Sequence, residues 1–84
     1  MKLFRISQDK NNDYDTYDSA VVCAETEEQA RFIHPRYQID DKEWNGKVDV
    51  YDSWVDAENV KVEYIGEAKE GMVKGVICAS FNAG

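Results

Sequence analysis

The sequence predicts an α+β fold: a single small acidic domain over residues 1–84, with one main helix packed on a mostly antiparallel sheet of four to five strands. Three observations carry that expectation. Residues 3–7 and 60–68 alternate between apolar and polar side chains, the period of a strand with one buried face. Residues 19–24 and 76–81 are short apolar runs of strand type. Thr26-Glu27-Glu28-Gln29 has the form of a capping box, in which the threonine hydroxyl and the glutamine side chain satisfy backbone N–H groups that the first helical turn leaves unpaired.

Each element follows in order. In residues 3–7, Phe4 and Ile6 point inward, and Leu3, Arg5 and Ser7 lie on the other side. Residues 8–14 are rich in Asp and Asn and form a loop. Residues 19–24 are apolar on both faces, which suits a central strand. Glu27 and Glu28 sit well at the positive end of the helix dipole. The helix buries Ala30 and Ile33, covers part of Phe32, and ends near His34 because Pro35 follows. Asn45-Gly46 signals a turn, with a short strand at 47–51 after it, and residues 56–59 look like one helical turn. Along residues 60–68, Val60, Val62 and Tyr64 share one face, while Lys61, Glu63 and Ile65 share the other. Glu70-Gly71 and Lys74-Gly75 bracket a turn, so the last two long strands are expected to pair as a hairpin.

Bulk composition narrows the function classes. Seventeen acids stand against ten bases, a net charge of −7 spread along the chain. Direct nucleic-acid binding is disfavoured, because every phosphate contact calls for a cation. An acidic surface suits solubility, docking on a basic protein patch, or holding a hard cation. Apolar runs are far below the roughly 20 residues of a membrane span. MKLFRISQ lacks the apolar stretch and cleavage site of a signal peptide, so a cytoplasmic location is expected.

The chain carries few groups suited to catalysis. Cys23 and Cys78 lie in apolar runs with no C-x-x-C spacing, and both are expected to be reduced, buried and slow to react. A disulfide requires the two strands to pair with these residues adjacent. His34 with a cysteine is the visible route to nucleophilic chemistry, and a strand cysteine and a helix-end histidine are expected to point apart. With one histidine there is no Cys/His metal cluster. No Gly-rich phosphate loop, G-x-S-x-G or H-E-x-x-H is present, so neither an enzyme nor a cofactor is expected. Asp9, Asn11 and Asp13 match the first three ligand positions of a calcium loop. Tyr14 then stands where glycine belongs and Ala20 where glutamate belongs, which favours a solvated turn region over a calcium site.

Two patches are candidate binding surfaces. Asp13, Tyr14, Asp15, Tyr17 and Asp18 alternate acid with tyrosine, a surface suited to a basic partner lined with Arg or Lys. The competing assignment tucks one or both tyrosines under the loop as core. Trp44, Tyr51 and Trp54 form the secondary candidate, against the competing need of a small domain for large aromatics in its core.

The phrases KLFRISQ, NNDYDTYDSAVVCAETEEQAR, VKVEYIGEA and GVICASFNAG together resemble a family of short uncharacterised acidic proteins of bacterial and bacteriophage genomes. The resemblance spans the chain apart from residues 37–54 and carries over no catalytic residue. No established activity comes with the resemblance, but a phage or mobile-element origin favours a protein-binding role. The leading expectation is a non-enzymatic protein-binding module, a phage-type inhibitor or accessory protein docking on a basic surface of a host protein, with mimicry of nucleic-acid charge as one route. The alternative expectation is a small structural or housekeeping protein whose acidity keeps it soluble. A weak calcium-binding module is the third.

Overall fold

The computed structural model describes residues 1–10, 15–36, 44–47 and 53–82, with the side chain of Asn82 outside that description. Four strands, β1 (Lys2–Ser7), β2 (Thr16–Ala24), β3 (Lys61–Glu67) and β4 (Gly75–Asn82), form one sheet in the order β3-β1-β2-β4. Every neighbouring pair is antiparallel. A helix α1 (Glu27–Arg31) and a 3₁₀ turn (Ala57–Asn59) complete the assigned elements.

Alternation decides which face is buried. Phe4 pairs with Val22, Ile6 with Ala20 and Lys2 with Ala24, so Phe4, Ile6, Ala20, Val22 and Ala24 fall on one side, while Leu3, Val21 and Cys23 fall on the other. Phe4, Ile6, Ala20, Val22 and Ala24 are all buried there. Val62, Val76 and Ala79 extend this surface onto the outer strands. The opposite face holds Arg5 and Glu63, register partners that are both exposed.

The expected fold class is corrected here. Among the described residues no main helix packs as a layer on the sheet: they form a four-stranded antiparallel sheet with one short helix and one 3₁₀ turn. The helix runs five residues and buries a single side chain, Ala30. The threonine half of the expected capping box forms, while the glutamine half reaches one residue past the N-cap, to Glu25 in place of Thr26. Thr26 Oγ1 accepts from Gln29 N at 3.1 Å, while Gln29 Oε1 reaches back to accept from Glu25 N at 2.7 Å. The stop comes earlier than Pro35. Phe32 leaves the helical region at φ −96°, ψ 14°, and its N–H turns back to Gln29 O and Ala30 O.

A helix this short cannot cover the sheet, so irregular chain does it. Ile33, Trp44, Trp54, Val55, Ala57 and Val60 close over the inner face. Arg31 ties this cover together, its Nη1 donating to the carbonyls of Ala57 at 3.0 Å and of Val60. Gly46 has φ +83°, and a Cβ there would sit 2.7 Å from Phe32 Cε1, so glycine serves both the turn and the close approach. Lys47 N donates to Asn45 Oδ1 at 3.0 Å, completing an Asx turn. The strand expected at 47–51 falls mainly outside the described residues, as does Tyr51.

The expected hairpin of the last two strands does not form either. β3 pairs with β1 and β4 with β2, at opposite edges of the sheet. Residues 68–74 cross the sheet end between them. Three strand spacings amount to roughly 14 Å, and seven residues reach roughly 23 Å, so the connection is long enough. Ala68 N donating to Met1 O at 3.0 Å pins its start. This order gives both apolar central strands two neighbours each.

The cysteines divide. Cys23 is fully buried, its thiol 3.5 Å from Met1 Sδ, whereas Cys78 is exposed, contrary to the expectation that both are buried. Both are free: Cys78 pairs with Val21, and Cys23 faces Gly75. His34 is buried on the covered side, with its ring 5.1 Å from that of Trp44, and Nδ1 accepts from Arg36 N at 3.0 Å. Cys23 lies one residue out of phase with the inward Val22, so its side chain leaves the opposite face.

Two outcomes are expected. Thr26→Ala removes the acceptor of the Gln29 N–H and should lower stability by about 1 kcal/mol, read as a lower chemical-denaturation midpoint with an unchanged slope. A thiol reagent should label one cysteine of the native protein rapidly, and peptide mapping should place the label on Cys78, with Cys23 protected until unfolding.

Candidate functional site

One end of the sheet gathers the turn from β1 to β2, the start of β3 and the end of β4. Gln8 organises it from a buried position. Its N donates to Asp18 O at 3.1 Å, its Nε2 to Tyr17 O at 2.8 Å, and its Oε1 accepts from Lys10 N at 2.8 Å. Asp15 turns the chain into β2 at φ 62°, a left-handed conformation that aspartate tolerates better than most residues. Thr16 is buried, and Tyr17 N donates to Ser53 O at 2.8 Å, fixing where the strand begins.

The strand then breaks register. Tyr17 pairs with Phe81 and Ser19 with Ser80, leaving Asp18 as an extra residue on β2. Such a bulge re-aims the side chains around it. Asp18 is exposed, while Tyr17 is half-buried and packs against the core. The Tyr17 and Phe81 rings lie 4.7 Å apart at a 56° tilt, and Phe81 remains 43% exposed. The carboxylates of Asp15 and Asp18 make no hydrogen bond or ion pair among the described residues.

Asp9 differs from these two. Its Oδ2 lies 2.9 Å from Lys61 Nζ, and that hydrogen bond and charge hold its pKa below the usual aspartate value. Of the calcium-loop positions, Asn11 and Asp13 lie outside the described residues. Among the described residues no group of three or more His, Cys, Asp or Glu side chains is placed to hold a metal ion.

Of the first expected patch, the structure brings together Asp15, Tyr17 and Asp18, while Asp13 and Tyr14 lie outside the described residues. It adds Phe81, which β4 carries to the site through pairing with β2. No local pattern marks Phe81 for this role, since its place depends on the register of a strand 64 positions from Tyr17. Of the second patch, Tyr51 lies outside the described residues. Trp44 and Trp54 are both core residues, and the Trp44 indole N–H donates to Lys47 O at 2.7 Å.

A concavity of about 330 Å³ near the helix is lined by Glu28, Gln29, Phe32, Trp44 and Lys74. It joins two aromatic rings, 6.4 Å apart, to one acid and one base. No helix among the described residues is long and apolar enough to cross a membrane. No protein-family model, curated protein or solved structure matches the chain.

The Asp9–Lys61 pair gives a pH prediction. A depressed folded-state pKa contributes stability that is present above the unfolded pKa and lost as pH falls through the folded one. Asp9 is exposed, so the effect on stability should be small. NMR titration should find the Asp9 midpoint below that of an unpaired aspartate, and Lys61→Ala should return it towards that value.

Proposed function

We propose that this chain is a non-enzymatic protein-binding module that docks the loop end of its sheet on a basic surface of a partner protein. One observation carries the reading: the Asp15 and Asp18 carboxylates are exposed and, among the described residues, uncommitted beside a half-exposed aromatic pair, Tyr17 and Phe81. Carboxylates steer a basic partner into encounter, and rigid aromatic area supplies anchoring energy after contact. The net charge of −7 adds a long-range component of the same sign. Gln8 and the bulge hold the patch on the sheet, so little ordering cost falls on binding. The resemblance to short acidic phage and bacterial proteins supports a narrower form of this reading, an inhibitor or accessory protein acting on a host enzyme.

The test compares two variants of equal net charge. Asp15→Lys with Asp18→Lys reverses the patch, while Glu25→Lys with Glu70→Lys reverses two exposed acids at the other end of the sheet. Each immobilised protein is incubated with bacterial lysate, and captured proteins are quantified across a salt series. A basic protein held by wild type and by the distal variant, released as salt rises, and weakened roughly tenfold or more by the patch variant is the expected result. Equal capture by the two variants contradicts the reading.

A further inference from the structure

The sheet has two edges, and they are unlike. β3 carries Lys61, Glu63 and Glu67, with Lys61 bound to Asp9 and Glu67 accepting from the Tyr64 hydroxyl at 3.0 Å. Charged side chains on an outer strand are an ordinary device against edge-to-edge pairing. β4, GVICASFN, carries no charge and no proline along eight residues. Among the described residues no strand pairs with its outer side. Ile77 is 46% and Phe81 43% exposed, and Cys78 is exposed as well.

We infer that β4 is a self-pairing edge: two copies of this chain join antiparallel through β4 about a two-fold axis, forming one continuous eight-stranded sheet. Charge selects the occupant. A chain with seventeen acids and ten bases repels its own copy over most of its surface. The uncharged strip of β4 lets two copies meet without opposing like charges. A basic partner finds no carboxylate along β4 itself and is directed instead to Asp15 and Asp18, so the neutral strand and the acidic end suit different occupants. Symmetry supplies the stopping rule, because an antiparallel strand paired with itself uses up the β4 edge of both copies and closes at two chains. The axis falls near Cys78 and Ala79, the middle of the strand, which leaves an acidic loop end at each side of the join. A single strand pair buries less than a standard interface, so the dimer is a weak, concentration-dependent one.

Salt separates this inference from the docking reading. Screening lowers the repulsion between two acidic chains and strengthens self-pairing, whereas it weakens capture of a basic partner. The test is sedimentation equilibrium of the full chain under reducing conditions, from about 1 to about 500 µM, at low and high salt. Wild type should rise from one chain mass towards two and no further, with the midpoint at lower concentration in high salt. Ile77→Lys and Cys78→Lys place like charges across the join at exposed positions. Whichever of them retains the wild-type circular dichroism should stay monomeric throughout. Ile65→Lys, an equally exposed apolar position on the β3 edge, should dimerise as wild type does. A wild-type chain that stays monomeric, one that grows past two chains, or a folded β4 variant that dimerises normally overturns the inference.

Discussion

The register of β1 on β2 is the constraint on which the rest of this structure depends. Pairing Phe4 with Val22 and Ile6 with Ala20 puts the core side chains Phe4, Ile6, Ala20 and Val22 of the two central strands on one face. A slip of one residue would send them to the opposite side of the sheet and bring Arg5 and Ser19 inward. The outer strands then attach to a hairpin whose inner face is already defined. Val62 opposite Ile6 and Ala79 opposite Ala20 continue that face outward. With a core this small, covering one face well matters more than covering both.

Three bulges modify the sheet, and each has a consequence for the surface. Ile65 is the extra residue on β3, Ile77 on β4 and Asp18 on β2. The two isoleucines are left about half exposed, one on each edge. Asp18 lies beside the Tyr17–Phe81 pair, where the extra residue changes the direction of the acidic side chain relative to the rings. The same irregularities that interrupt regular pairing therefore set up the candidate docking end and shape both outer edges. Burial, in turn, removes other residues from consideration. Trp44, Trp54 and His34 are committed to the cover over the inner face, where their rings meet one another.

What the sequence discloses depends on the range of the interaction that decides it. Phe4 and Ile6, two positions apart, announce an inward strand face without help from distant residues. Thr26 and Gln29, three apart, announce a cap that forms with 2.7 Å and 3.1 Å contacts. The central place of β2 follows from a run that is apolar on both faces. Strand order carries no such local mark. Two strong strands separated by a glycine-containing turn look like a hairpin, and only the open edges of the β1–β2 pair draw them apart. Helix length fails for a related reason: Ala30 and Ile33 are both buried, but the chain has already left the helix at Phe32. Cys78 is apolar in its context yet exposed because β4 is an edge. Asp15 and Asp18 are legible as surface acids, whereas Phe81 joins them only through cross-strand pairing.

The strand order is therefore the claim to test first, since the core, the two edges and the loop end all follow from it. The direct measurement is a set of backbone cross-strand nuclear Overhauser effects on isotope-labelled protein. The account predicts contacts between Arg5 and Glu63 and between Ala20 and Ala79, the register partners of β1 with β3 and of β2 with β4, with none between β3 and β4. A ladder of contacts between β3 and β4 in place of these would contradict it.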